Sequence, residues 1–161
     1  MHEFKFKGNQ LYCEDVNIQD LAVRYGTPLY VYSYNTFIGH FLKLKKAFAP
    51  VKPLICYSVK ANSNLAILKA LVERGSGLDI VSGGELYRAL KVGCPPSRIV
   101  YASVGKTDRE IEEAIRKGIL FFNVESLPEL ENINRIARKL KKKTSVALRI
   151  NPDVEAKTHK Y

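Results

Sequence analysis

Most of the chain alternates between short apolar runs and amphipathic segments. Apolar runs of strand length begin at Leu54, Gly77, Arg98, Ile119 and Ser145. The segments between them carry apolar residues three and four positions apart, which is the period of an amphipathic helix. Strands that alternate with helices predict βα units, whose short connections require parallel pairing and right-handed crossovers.

Capping residues mark the ends of the predicted helices. A serine or threonine that can accept a hydrogen bond from the first turn stands at three helix starts: Ser82, Thr107 and Ser126. Glycine follows three helix ends: Gly75, Gly93 and Gly118. The pattern fits an open doubly wound sheet or an incomplete (β/α)8 barrel, and the near-even spacing of the strands favours the barrel.

The first fifty residues follow a different pattern. Residues 4–7 and 11–12 alternate around a Gly-Asn turn and predict a β-hairpin. A short helix is predicted over residues 18–25, a strand over 28–32 and a second helix over 34–48. We therefore expect an α/β fold, an incomplete (β/α)8 TIM barrel of about five βα units, with a hairpin and helix segment before it.

Composition and charge narrow the function classes. The 161 residues are 46% hydrophobic and 26% charged, which is typical of a soluble globular chain. The net charge is +10, but its basic runs fall on predicted helices, so a solvated helix face is favoured over a phosphate-bearing partner. With no zinc-finger spacing and no aromatic RNA motif, a nucleic-acid-binding module remains a minor hypothesis.

Three sequence features bear on localisation and metal binding. No apolar stretch approaches the ~20 residues of a membrane helix, and the first residues lack the apolar core of a signal peptide. The scattered cysteines Cys13, Cys56 and Cys94 show no disulfide or metal-type spacing. We expect a cytoplasmic protein without a metal site and without a membrane partner.

Active sites of parallel βα folds lie at the carboxyl ends of the strands, and Lys60 is at such an end. Strand alternation directs Tyr57 and Val59 toward the helices, and we expect Lys60 to point into the barrel mouth with Ser58. Desolvation there favours the neutral amine, which can form a Schiff base with a carbonyl compound. The alternative interpretation is an ordinary lysine at the start of a loop.

Five segments, in order and at matching spacing, carry a family resemblance: Tyr57-Ser58-Val59-Lys60-Ala61-Asn62, Gly77-Leu78-Asp79-Ile80-Val81-Ser82-Gly83-Gly84-Glu85-Leu86, Ile99-Val100-Tyr101-Ala102, Phe122-Asn123-Val124-Glu125-Ser126, and Arg149-Ile150-Asn151-Pro152-Asp153-Val154 with Lys157-Thr158-His159 after it. They resemble the diaminopimelate decarboxylase family, which belongs to the alanine-racemase-like barrels that bind pyridoxal 5'-phosphate. The resemblance runs from about Leu11 to Tyr161.

The resemblance implies roles for three charged residues. Lys60 is expected to hold pyridoxal phosphate as a Schiff base, and Asp79 and Arg149 to line the face and edge of the cofactor. A structural ion pair is the alternative for both Asp79 and Arg149. Glu85 is a weaker candidate, because a glutamate in the first turn of a helix has a structural explanation of its own.

The implied reaction is the decarboxylation of meso-diaminopimelate to L-lysine and CO2 through a pyridoxal-phosphate aldimine, the last step of lysine biosynthesis. Two alternatives stay open. One is a related decarboxylase acting on arginine, ornithine or carboxynorspermidine. The other is a non-catalytic barrel protein that binds the same cofactor. The implied partners are an amino-acid substrate and a second copy of the chain in a homodimer, with no nucleic acid and no membrane.

The resemblance also implies a domain organisation. Residues 1–33 are expected to pack with a C-terminal β-domain that this sequence lacks, and residues 34–161 to form the first part of the cofactor-binding barrel. Because only five of the eight barrel strands are present, we expect the chain to be a fragment. A barrel left open at two strand edges is expected to be poorly soluble or oligomeric and inactive by itself.

Overall fold

The computed structural model describes residues 2–154, so the Lys157-Thr158-His159 motif lies outside the described residues. The chain divides between Ile55 and Cys56 into two compact units. The strands are β1 (Phe4–Lys7), β2 (Gln10–Cys13), β3 (Val16–Asn17), β4 (Cys56–Ser58), β5 (Gly77–Ile80), β6 (Ile99–Tyr101), β7 (Phe121–Val124) and β8 (Val146–Leu148). The helices are α1 (Ile18–Tyr25), α2 (Tyr34–Ala47), α3 (Leu65–Glu73), α4 (Gly83–Lys91), α5 (Asp108–Lys117) and α6 (Leu127–Lys139).

The N-terminal unit is built on the antiparallel hairpin that the sequence predicts. β1 pairs with β2 so that Phe4 lies opposite Cys13, and β2 pairs in turn with the short strand β3. Helix α1 has the predicted bounds. It begins after Asn17, whose side chain accepts a hydrogen bond from the backbone N–H of Gln19.

The prediction of a strand over residues 28–32 is wrong. These residues are irregular, and they have no partner strand in the part of the chain that the structure describes. A β-strand forms only where a neighbouring backbone completes its hydrogen bonds, and Pro28 has no N–H to donate. Apolar and aromatic composition alone therefore misled the sequence interpretation.

The Glu14 carboxylate ties the end of β2 to the start of α2. Its Oε1 atom accepts hydrogen bonds from the Ser33 hydroxyl at 2.7 Å and from the Asn35 backbone N–H at 2.8 Å. The buried Ser33 is also the N-cap of α2, because its hydroxyl accepts from the Thr36 N–H at 3.0 Å. The hydrogen bonds from Asn35 and Ser33 lower the pKa of Glu14.

The second unit contains a five-stranded sheet whose strands are all parallel and lie side by side in chain order, from β4 to β8. A doubly wound sheet would reverse its strand order at a switch point. The sequential order therefore confirms the barrel arrangement that the spacing favoured. The five predicted strands and the four predicted helices between them are all present.

The core of this unit lies between the sheet and its helices. Leu78 and Ile80 of β5 are fully buried there, together with Tyr101 of β6 and Phe122 of β7. The rings of Tyr101 and Phe122 stack with their centroids 5.9 Å apart. Alternation along β5 places Asp79 on the opposite face of the sheet, away from the helices.

The predicted N-caps are confirmed, and each is part of a reciprocal arrangement. The N-cap hydroxyl accepts from the backbone N–H of a glutamate three residues later, and the pairs are Ser82–Glu85, Thr107–Glu110 and Ser126–Glu129. Each glutamate carboxylate in turn accepts from a backbone N–H just before or at the helix start. These contacts fix how each chain segment passes from a strand end into the next helix.

Glu110 has a second role, because its carboxylate reaches the neighbouring helix. Its Oε1 atom accepts from the Gly83 N–H at 2.7 Å. A Cβ atom at position 83 would lie 3.1 Å from Glu110 Cγ, so glycine permits this close approach. Burial raises the pKa of Glu110, but the hydrogen bonds from Thr107 and Gly83 outweigh it and lower the pKa to about 2.

We expect the substitution Glu110→Gln to reduce the loss of folding stability that occurs as the pH falls below about 4.5. The pKa of Glu110 is lowered from 4.5 to about 2, so its ionised form stabilises the folded state above about pH 4.5. That stabilisation is lost as the pH falls toward 2, and the neutral amide has none to lose. Thermal unfolding midpoints measured across this pH range test the expectation. Glu131→Gln, at an exposed position of α6, is the control; an unchanged acid slope in Glu110→Gln would contradict our account.

The described residues also bear on membrane spanning and on metal binding. No helix between residues 2 and 154 has the length and apolar character to cross a bilayer. Within the same residues, no group of three or more His, Cys, Asp and Glu side chains is placed to hold a metal ion. The three cysteines are free thiols.

Candidate active site

Lys60 lies just beyond the carboxyl end of β4, in a short 3-10 turn over Val59–Ala61. Val59 is fully buried in the core, on the helix side where the sequence placed it. Lys60 itself is exposed, so the desolvation that we expected from the sequence is wrong for this structure. Within residues 2–154 its amine makes no hydrogen bond and no ion pair, which leaves the nitrogen accessible to a ligand.

The backbone that follows Lys60 is anchored at two points. The Asn62 side chain accepts a hydrogen bond from the Asn64 N–H at 3.0 Å, and Asn64 is itself the N-cap of α3. The Arg88 guanidinium of α4 donates to the Ser63 carbonyl at 3.2 Å. The turn that carries Lys60 is thereby fixed between β4 and α3 although its lysine side chain is free.

Asp79 lies on β5, directly opposite Ser58 in the parallel register. The Ser58 hydroxyl donates to Asp79 Oδ2 at 2.9 Å. The other oxygen, Oδ1, is buried and has no hydrogen-bond partner among the described residues. Burying a carboxylate oxygen without a donor costs free energy, so this atom is an acceptor ready for a donor on a ligand.

Glu85 is occupied by the local structure of its helix. Its Oε2 atom accepts from the Val81 backbone N–H at 2.8 Å, and its own N–H donates to the Ser82 hydroxyl at 3.2 Å. Of the two explanations left open by the sequence, these contacts favour the first-turn helix role.

Arg149 lies at the opposite edge of the sheet from Lys60, because it follows β8 whereas Lys60 follows β4. Its guanidinium donates to Glu125 Oε2 at 2.8 Å. Glu125 is 12% exposed and Arg149 is 59% exposed. The structure thus brings Lys60 and Asp79 to neighbouring strands and pairs Arg149 with Glu125. A role for Arg149 at the cofactor edge stays a prediction.

Lys106 is a buried charge that the sequence analysis did not single out. Its amine donates to the carbonyls of Ser103 at 2.7 Å and of Asn123 at 2.9 Å, and to Glu129 Oε1 at 2.5 Å. The lysine side chain is 0% exposed and that of Glu129 is 12% exposed. All three ammonium protons are used, and the carboxyl ends of β6 and β7 are held together.

The network continues from Lys106 to the edge of the sheet. Glu129 Oε2 accepts from the Glu125 N–H at 2.8 Å, and the Glu125 carboxylate binds Arg149. The only signals in the sequence were a lysine just past a strand end and the repeated Ser-x-x-Glu motif. Neither reveals that the two meet, because Lys106 and Glu129 belong to successive βα units.

Cys56 shares the Ser58 face of β4 and is half-buried. Burial raises the pKa of its thiol, and the negative charge of Asp79 raises the pKa further. A thiol is a nucleophile only after it loses its proton, so Cys56 stays unreactive near neutral pH. Cys56 is therefore not a candidate nucleophile of this strand end.

These groups fit the cofactor that the resemblance implies. A primary amine without an ion-pair partner can bond covalently to the aldehyde of pyridoxal phosphate. On the adjacent strand, the unpartnered Oδ1 atom of Asp79 offers a negative acceptor to a protonated nitrogen. An amine and a carboxylate acceptor on neighbouring strands thus fit a group that carries both an aldehyde and a protonated nitrogen.

Comparison with known proteins agrees with this assignment. Residues 35–161 match the family described as "Pyridoxal-dependent decarboxylase, pyridoxal binding domain". A diaminopimelate decarboxylase of Aquifex aeolicus is 53% identical over 157 residues, which are 98% of this chain and 37% of that protein. One from Vibrio cholerae is 52% identical over 152 residues, 94% of this chain and 36% of that protein.

Solved structures give the same result. The diaminopimelate decarboxylase of M. jannaschii is 37% identical with a TM-score of 0.90, and the match covers 98% of this chain and 38% of that one. The enzyme of Helicobacter pylori, solved with L-lysine, is 49% identical with a TM-score of 0.86, covering 90% of this chain and 37% of that one. The chain spans little more than a third of the length of these relatives. It belongs to the family of pyridoxal-dependent decarboxylases and includes residues of their pyridoxal binding domain.

Proposed function

We propose that the protein containing this chain is a diaminopimelate decarboxylase, which converts meso-diaminopimelate to L-lysine and CO2 with pyridoxal 5'-phosphate as cofactor. The observation that carries the proposal is the accessible amine of Lys60 just past the end of one strand, with Asp79 on the neighbouring strand, where one carboxylate oxygen has no partner among the described residues. Identity of about half to relatives that carry this name supports the same activity.

Lys60 is proposed to hold the cofactor covalently. Its amine nitrogen would bond to the aldehyde carbon of pyridoxal phosphate, with the aldehyde oxygen lost as water. The position supports this role, because the turn over Val59–Ala61 is fixed to a core strand while the lysine amine remains accessible. When bound, pyridoxal phosphate accepts the electron pair that is released as the carboxyl group of the substrate leaves as CO2.

Asp79 and Arg149 are proposed to set the charge around the cofactor. The Asp79 carboxylate would favour a protonated nitrogen near Lys60, because it is partly buried and its Oδ1 atom lacks a partner. Arg149 is exposed, and its guanidinium is bound by the Glu125 carboxylate. This ion pair orients the arginine at the sheet edge opposite to Lys60. Its role would be to bind a negative group of the cofactor or substrate.

The substrate is proposed from the relatives. The H. pylori enzyme has been solved with L-lysine, the product of the proposed reaction. Lysine/ornithine decarboxylase of Vibrio vulnificus has the same fold at 20% identity with a TM-score of 0.74. The higher identity to the diaminopimelate decarboxylases supports diaminopimelate as the substrate.

The domain organisation and the assembly are part of the proposal. The family match begins at residue 35, which supports a cofactor barrel that starts near residue 34. Residues 1–33 are proposed to pack with a C-terminal β-domain, and the whole protein is proposed to be a homodimer in the cytoplasm.

Release of CO2 tests the proposed function. The protein that contains this chain would be assayed with meso-diaminopimelate, L-ornithine, L-arginine and carboxynorspermidine at equal concentrations. We expect turnover of meso-diaminopimelate and at least about a hundredfold lower kcat/KM for the others, because a site built to bind a polar group rejects analogues that lack it. Faster turnover of L-ornithine, L-arginine or carboxynorspermidine would assign the protein to a related decarboxylase. Cofactor binding without turnover of any substrate would make it a non-catalytic pyridoxal protein.

A further inference from the structure

The Ser58 hydroxyl binds one oxygen of the Asp79 carboxylate. Its hydrogen bond to Oδ2 occupies one side of the carboxylate and leaves Oδ1 buried without a donor among the described residues. The terminal torsion of an aspartate is broad and the two oxygens of the ionised carboxylate are equivalent, so a hydrogen bond to one oxygen fixes the plane of the carboxylate. Ser58 thereby sets the direction in which the remaining acceptor points.

Ser58 is also the last residue of the strand that leads to Lys60. Residues 59–61 form the 3-10 turn directly after it, and Ser58 is aligned with Asp79 in the parallel register. One hydrogen bond therefore connects the strand that carries the amine with the strand that carries the acid. The spacing of these two strand ends is constrained by this link in addition to the backbone ladder.

We propose that Ser58 is a positioning residue, which holds the Asp79 carboxylate so that its free oxygen faces the pyridoxal phosphate bound at Lys60. The proposal rests on the proposed function, since it presumes cofactor binding at Lys60. Ser58 itself does not contact the reacting atoms and acts through Asp79. Hydrogen bonds that involve a charged group are the stronger ones, so the loss of this hydroxyl has a measurable effect on the bound cofactor.

The test uses Ser58→Ala in the protein that contains this chain, with cofactor affinity and visible circular dichroism as readouts. The cofactor-free protein would be titrated with pyridoxal phosphate, and the dichroism of the bound cofactor would be recorded at saturation. We expect about tenfold weaker affinity, since one hydrogen bond to a charged group has that scale. We also expect a weaker dichroic band, because the cofactor is held less rigidly. Ser58→Thr, which keeps the hydroxyl, is expected to restore both.

Two controls separate positioning from general destabilisation. Ser76→Ala removes another buried hydroxyl of the same unit, one that donates to the Gly77 carbonyl at 2.7 Å, and is expected to leave the dichroic band unchanged. In an Asp79→Ala background, Ser58→Ala is expected to have no further effect on affinity, because the two residues act as one unit.

Three outcomes would overturn the proposal. The first is a Ser58→Ala variant with wild-type affinity and dichroism. The second is an effect of Ser58→Ala that persists undiminished in the Asp79→Ala background. The third is an equal loss of dichroism in Ser76→Ala. Failure of the proposed function is a separate result: a wild-type protein without cofactor binding would show no cofactor band at all, and one that binds the cofactor but does not release CO2 from meso-diaminopimelate would show the band without the activity.

Discussion

Lys60→Ala is expected to lower the rate of CO2 release from meso-diaminopimelate by about three orders of magnitude or more, the scale on which covalent catalytic groups act. The variant loses the amine that stands unpaired after β4, and with it the covalent attachment of the cofactor. It is also expected to lose the visible absorption band of the attached cofactor. Both quantities are measured on purified protein after desalting.

Lys69→Ala is the matched control for this substitution. Lys69 is an exposed lysine of α3, and its ion pair with Glu73 is long at 3.9 Å. Surface pairs of this kind contribute little to stability, so both rate and absorption are expected to stay at wild-type values. A Lys60→Ala variant that retained the rate and the band would show that the cofactor is held elsewhere.

Lys106→Met is expected to give the largest loss of stability, about 3–5 kcal/mol in the free energy of unfolding. The substitution leaves the Glu129 carboxylate almost fully buried without its cation, and it removes the donor from the carbonyls of Ser103 and Asn123. Breaking one side of a buried pair is more costly than removing both sides. Denaturant unfolding of the protein that contains this chain measures the loss.

Two further variants test whether the unpaired charge of Glu129 causes the loss of stability in Lys106→Met. Lys106→Met combined with Glu129→Gln is expected to recover part of the lost stability, because no unpaired charge remains and the amide oxygen can still accept from Glu125. Lys117→Met, at the exposed end of α5, is expected to change stability by less than about 0.5 kcal/mol. A loss of under about 1 kcal/mol in Lys106→Met would mean that the pair behaves like a surface ion pair.

Local patterns in the sequence predicted the regular elements of the second unit well. The hydroxyl caps at Ser82, Thr107 and Ser126 are all present, because an N-cap depends on residues within one turn of itself. The strand predicted over residues 28–32 failed for the opposite reason. A strand depends on a partner that local sequence does not specify, and no partner lies among the described residues.

The candidate site was predictable in part. Lys60 could be predicted as a site residue because it follows an apolar run. Its exposure could not be predicted, because strand alternation stops where β4 ends and a 3-10 turn begins. The partners of the predicted residues were not visible in the sequence. The contact of Ser58 with Asp79 joins two strands, and that of Glu125 with Arg149 joins the residues just after two strands; only the parallel pairing of the strands brings these residues together. The burial of Lys106 likewise depends on three segments that meet in space.

Reductive trapping tests the central claim most directly. Borohydride would be added to the cofactor-bound protein that contains this chain, and it would fix the lysine–cofactor bond so that the modified residue survives digestion. Peptide mass spectrometry then identifies the labelled lysine. Our account predicts that the pyridoxyl group is found on Lys60, in the segment that begins at Tyr57. A label on Lys106 or on any other lysine, with Lys60 unmodified, would contradict it.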